Sequence, residues 1–243
     1  QRATLLMRTF FLDAETRMNP NMNFAQGEPG RNDGQAGGTV DFGRFWMVLD
    51  AVRLIESDPS TLAVWTATDR QSFRAWLADF LDWWMYSPNG RLARKIRNNI
   101  GSAYDVQALS MATFLKNATA ATDLIKNDVR GRVDLQINAT GSLPMEDGRS
   151  NSFGYHVGDA IQFLNLATVV NGAPRNFLSP VSPHRLTQSV LHIVTESNHA
   201  LVSTSVDLFA YKNQRGGGIL KMLDWLAPFC KANGTNWPWK MTN

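Results

Sequence analysis

Apolar side chains recur every three to four positions through most of this chain, and two-residue alternation is scarce. That period predicts helices. Residues 1–12 carry it without an initial capping residue, so they read as a helix entered midway. From Asp41, the positions Phe42, Phe45, Trp46, Leu49, Val52 and Ile55 predict a second helix. Thr66-Ala67-Thr68-Asp69 offers a capping start for a third, through Phe73, Trp76, Leu77, Phe80, Leu81 and Trp84, which Ser87-Pro88-Asn89-Gly90 should end. Val106, Leu109, Ser110, Thr113 and Phe114 form a further amphipathic face. More helices are expected over 120–137, 156–170, 186–200 and 218–230. Residues 16–39, rich in Asn, Gly, Pro and Gln, form a long loop, and such loops are usually functional. The pattern predicts an all-α fold of antiparallel helix hairpins, as a closed toroid or a solenoid.

Composition narrows the function classes. A net charge of +3 on 243 residues is modest, and its one dense basic stretch is Arg91-Leu92-Ala93-Arg94-Lys95-Ile96-Arg97. This stretch is either a solvated helix face or an attractor of polyanions, and no nucleic-acid motif accompanies it. Cys230 stands alone, so an internal disulfide is excluded, and it is either inert or paired with another chain. The four histidines, His156, His184, His192 and His199, lack metal-site spacing. No metal or cofactor is expected, and no apolar run is long enough to span a bilayer. Asn117, Asn138 and Asn233 begin glycosylation sequons, which would matter on a secretory route.

The candidate chemistry lies in three segments. They are Arg97-Asn98-Asn99-Ile100-Gly101-Ser102-Ala103-Tyr104-Asp105, Gly141-Ser142-Leu143-Pro144-Met145-Glu146-Asp147-Gly148-Arg149, and Tyr155. Asn and Arg can neutralise a sugar carboxylate, and Tyr can move a proton. Eliminative cleavage of a polyuronate needs those groups, with a cation near the phenol to favour its ionised form. Singly, each has a plainer reading: Asn98 and Asn99 as helix caps, Arg149 and Tyr155 as a buried hydrogen bond.

These segments, in this order, resemble the alginate-lyase-like α/α-barrel polysaccharide lyases, which include mannuronate-specific alginate lyases and glucuronan lyases. Phe10-Phe11-Leu12-Asp13-Ala14-Glu15-Thr16-Arg17-Met18-Asn19-Pro20-Asn21 with Gln26-Gly27 resembles the family's early loop. Val206-Asp207-Leu208 and Leu223-Asp224-Trp225-Leu226-Ala227-Pro228-Phe229 resemble its closing helix. The resemblance covers nearly the whole of residues 1–243 as one helical domain. It implies that Asn99 neutralises the carboxylate, Arg149 assists, and Tyr155 transfers the proton. Asn98, Tyr104, Arg97, Gln26 and Arg17 would bind an acidic polysaccharide.

Two departures qualify the resemblance. The family places His after the Asn pair and Trp before Tyr-Asp, whereas this chain has Ile100 and Ala103. In mannuronate and glucuronate the C5 proton and O4 leave from one face, so one Tyr can serve both, while guluronate needs a second base. Ile100 therefore argues most strongly against guluronate, unless His156, His192 or His199 substitutes in space. The family also carries helix hairpins before Phe10, so an incomplete (α/α) toroid is expected, completed by a partner chain or a second copy, with Cys230 as a possible link. The expected function is secreted β-elimination of a β-1,4-linked mannuronan or glucuronan using Tyr155. The alternative is an impaired lyase-fold protein that binds acidic glycan or serves as a structural subunit.

Overall fold

The computed structural model describes residues 2–171 and 206–239. The helix expected over 186–200 lies outside them, as do His184, His192 and His199. Among the described residues the fold is all-α, and the only β feature is an isolated bridge between Glu28 and Asn32. The α-helices are α1 (Arg2–Phe11), α2 (Phe45–Ser57), α3 (Ala67–Tyr86), α4 (Pro88–Lys95), α5 (Asn99–Phe114), α6 (Ala118–Leu124), α7 (Arg130–Gln136), α8 (Ser152–Asn171) and α9 (Ile219–Lys231).

The α3 start is the capping box that its sequence suggests. Thr66 Oγ1 accepts from the Asp69 N–H at 3.2 Å, and Asp69 Oδ2 accepts from the Thr66 N–H at 2.8 Å. Arg8 of α1 grips the same carboxylate at 2.9 and 2.6 Å, and this holds the Asp69 carboxyl well below the usual range. The predicted face of α3 is buried at every position named above. Phe11, Phe45, Trp76 and Phe80 interlock there, with ring centroids 4.7 Å apart for Phe11 and Trp76 and 5.0 Å for Trp76 and Phe80.

Three boundaries differ from the sequence expectation. Ser87-Pro88-Asn89-Gly90 does end α3, but it starts α4 at once, because Ser87 Oγ accepts from the Gly90 N–H at 3.0 Å and Pro88 occupies the first helical position. Residues 36–42 form a 3-10 segment, so α2 begins at Phe45 instead of Asp41. The helix expected over 120–137 begins at Ala118 and contains a π turn, Ile125–Val129, between α6 and α7.

Helix α5 is the axis of the fold. Every residue from Gly101 to Phe114 is buried, so it is enclosed on all sides instead of showing one apolar face. It packs against α2, α3, α4, α6 and α8. Its polar residues are paired inside: Asp105 takes Arg132 of α7 at 2.7 and 3.1 Å, and Gln107 bonds Gly43 O and Trp46 N ahead of and within α2. Arg132 also donates to the carbonyls of Arg94 and Ile96, which fixes the turn leading into α5. Gly101 is obligatory in this corner, since a Cβ there would lie 2.0 Å from Ile96 O and 2.4 Å from Arg132 Nη1.

Candidate active site

Three elements meet at the α5 N-terminus. Asn98 caps the helix, its Oδ1 accepting from the Ile100 N–H at 3.1 Å. The 3-10 turn Pro144–Glu146 presents Glu146, which is fully buried and accepts from the Asn99 N–H at 2.6 Å. Burial pushes the Glu146 carboxyl up, while the Asn99 N–H and Arg149 pull it back. Arg149 donates through Nη1 to Asn99 Oδ1 and to Glu146 Oε2, both at 3.3 Å. Its guanidinium carbon lies 3.8 Å from the centroid of the Tyr155 ring on α8.

Arg149 therefore bridges Asn99 and Tyr155, and the three side chains form one cluster. The guanidinium is partly exposed and the Tyr155 side chain half-buried, so a ligand can reach both. Asn99 Oδ1 is occupied by Arg149, and the remaining polar group of that side chain is the amide nitrogen, a donor. The early loop supplies one wall. A Cβ on Gly37 would lie 3.4 Å from Gln26 Oε1 and 3.8 Å from Ile100 Cδ1, so Gln26, Gly37 and Ile100 stand together.

A sequence model of the family described as "Alginate lyase" matches residues 1–176. The chain belongs to the alginate lyase family. No curated protein matches it. Among solved structures it is similar to an alginate lyase from Bacteroides ovatus, with 24% identity and a TM-score of 0.78, over 100% of this chain and 55% of that one. The chain thus spans about half the length of that lyase, and the likeness supports the all-α fold.

Within this alginate lyase family member the other expected residues are placed unevenly. Tyr104 is fully buried, stacked on Trp84 at 5.7 Å with its hydroxyl donated to Trp84 O. It is a core residue and not a ligand contact, because its position on enclosed α5 gives it no route to solvent. Asn98 spends its side-chain oxygen on the helix cap. Arg97 is exposed on the turn before α5, whereas Arg94 of the same basic stretch is neutralised by Asp128 and Asp123 at 2.6 and 2.7 Å. Arg17 is exposed in the turn after α1, and among the described residues no hydrogen bond or ion pair joins it to the cluster. The early loop also forms a solvent-open hollow of about 300 Å³ lined by Met18, Asn19 and residues 21–25, which shares no residue with the cluster.

His156 does not replace the family histidine. It is fully buried among Trp225, Trp237 and Trp239, with Nδ1 2.9 Å from Ser152 O and Nε2 3.1 Å from Asp147 Oδ1. Burial lowers this imidazole, and Asp147 raises it back in part. Among the sequon residues, Asn117 and Asn233 are exposed, whereas Asn138 is half-buried and its Nδ2 donates to Ser142 Oγ at 2.6 Å to close a turn. Cys230 is exposed. Among the described residues no helix is long and apolar enough to cross a membrane, and no three potential ligands group as a metal site.

Sequence reading missed Glu146 as a site residue. It stood inside a quoted motif, three positions before Arg149, but nothing local shows that it would meet the α5 N-terminus 47 residues away.

Proposed function

We propose that this chain carries a β-eliminating site for a β-1,4-linked polyuronate of the mannuronan or glucuronan type. The observation that supports this reading is the bridge made by Arg149, which brings an amide donor, a fixed cation and a phenol to one accessible spot. The C5 carboxylate of the sugar docks on the Asn99 amide and on Arg149, which offset the charge of the enolate as it develops. The Tyr155 oxygen takes the C5 proton. The C4–C5 double bond then forms as the C4–O4 bond breaks, and Tyr155 returns the proton to O4. One residue suffices because both groups leave from the same face. Guluronate requires a base on the opposite face, and the Ile100 side chain has no atom that can accept a proton. Such a substrate is an extracellular polymer, which fits a secreted protein.

The test is the ultraviolet absorbance of the unsaturated product on polymannuronate, glucuronan and polyguluronate. Signal on the first two, its loss in Tyr155→Phe, and none on the third are expected. Silence on all three sinks the proposal. Ile100→His should raise the rate if the missing base limits it.

Ile100 also favours a second reading, a protein that binds acidic glycan without cleaving it. Calorimetric binding with no product distinguishes this version. A structural-subunit role would use the outer face of α1, where Leu5, Leu6 and Phe10 are 60%, 56% and 57% exposed. Its test is whether charged substitutions there change the oligomeric state.

A further inference from the structure

Ser102 and Asp159 are buried at 0% and 1% exposure, and the Ser102 hydroxyl meets Asp159 Oδ1. Ser102 follows Asn99 by three residues on α5, and Asp159 follows Tyr155 by four on α8. Each therefore lies one helical turn from a site residue, on the same side of its helix. This contact joins the two helices that carry the site at the level where their spacing matters. We infer that the Ser102–Asp159 clamp is the positioning element of the candidate active site, fixing how far Asn99 stands from Tyr155, with Asp159 acting in its neutral, protonated form. The inference rests on the catalytic reading of Asn99, Arg149 and Tyr155 given above.

Proton counting supports the neutral form. Ser102 Oγ is within reach of two acceptors, Asp159 Oδ1 and Asn98 O, the latter at 3.4 Å, yet a hydroxyl has one proton. An ionised Asp159 would strand charge on its buried Oδ2, which has no hydrogen-bond partner. A proton on Asp159 Oδ1 removes that charge: Asp159 donates to Ser102 Oγ, the Ser102 proton turns to Asn98 O, and Oδ2 becomes a neutral carbonyl oxygen. The surroundings agree. Burial pushes the Asp159 carboxyl up to about 8, Glu146 from the 3-10 turn and Asp105 of α5 push the same way, and Ser102 and Arg132 of α7 oppose them. Asn98 O, where the proton chain ends, also receives the N–H groups of Gly101 and Ser102, so the clamp closes on the first turn of α5.

Hydrogen exchange at the amides of Ile100, Gly101 and Ser102 reads this clamp without reference to catalysis, and elimination rates read it through the site. As pH passes about 8, wild type should lose protection at these amides beyond the intrinsic base-catalysed rise, and lose turnover with it. Asp159→Asn, neutral and of the same shape, should show neither loss. Ser102→Ala should raise exchange at the three amides about tenfold and lower kcat about tenfold, with KM little changed. Should Asp159→Asn fail to fold, the infrared carbonyl stretch of a buried protonated carboxyl, present in wild type at neutral pH and lost as pH passes about 8, decides instead. The inference is overturned if Asp159→Asn keeps the wild-type pH dependence, or if Ser102→Ala changes neither readout. A wild type that makes no product but shows the expected exchange pattern refutes the catalytic reading alone and leaves the clamp standing.

Discussion

The aromatic wall between α1, α2 and α3 and the polar interface where α5 meets α7 and α8 are equally dry, but they depend on different physics. In the wall, Phe11, Phe45, Trp76 and Phe80 gain stability from area removed from water, with a smaller contribution from edge-on ring geometry. Side chains there can be exchanged for others of similar bulk. At the interface, Asp105, Glu146 and Asp159 are each fully buried carboxyls, and each is tolerated by a different arrangement. Asp105 has a bidentate Arg132, Glu146 has an N–H and Arg149, and Asp159 has a serine and its own proton. A wall of hydrocarbon degrades gradually, whereas a paired charge fails when its partner goes.

The strongest way to break the contrast is Arg132→Ala. It strands Asp105 and frees the carbonyls of Arg94 and Ile96, so urea denaturation should show a loss of about 3–5 kcal/mol. Arg132→Lys keeps the charge but not the fork, and a loss of about 2 kcal/mol is expected, against less than about 1.5 kcal/mol for Phe80→Leu in the wall. If the Lys variant proves the milder of the two, the distinction between the regions collapses.

Stability against pH sharpens the same contrast. The folded chain holds the Asp159 proton up to about 8, while an unfolded aspartate releases it from about 4, so the folded state binds the extra proton between those values. The Asp159 contribution therefore favours folding at the acid end, falls as pH rises through this window and is flat above it. Asp159→Asn should flatten that part of the curve, and an unchanged slope would mean that the carboxyl is ionised in the folded protein.

The smallest effect belongs to the partly exposed Arg8–Asp69 pair. Arg8→Met should cost no more than about 1 kcal/mol at neutral pH, screened further by salt. Because Asp69 sits below its usual range, that contribution fades as pH falls through its folded value, the opposite direction to Asp159.

The wall was legible in the sequence and the interface was not. Phe73, Trp76, Leu77, Phe80, Leu81 and Trp84 announce α3 because burial of one face imposes a period, and Thr66 and Asp69 announce its start because capping is local. Asp105, Glu146 and Asp159 carry no period. Their partners sit 27, 47 and 57 residues away, so their roles exist only once the helices are packed. Helix α5 looked one-sided for the same reason, since the polar Ser102, Asp105 and Gln107 interrupt its apolar period and their buried partners are distant in sequence. Asn99, Arg149 and Tyr155 were found through resemblance. The structure brings those three together and places Tyr104 in the core.

The π turn Ile125–Val129 bears on how this chain should be aligned with others. A π turn holds one residue more than the α-helical path it interrupts, so it behaves as a single-residue insertion absorbed without a loop. Deleting one of these five residues would restore a continuous α-helix and leave the residues beyond it in the same register. Arg132 would keep its place on Asp105 and on the Ile96 carbonyl, although its number in the chain would change by one. An alignment that closes this gap for neatness would misplace Arg132 by one position and hide the pairing that holds the axis of the fold.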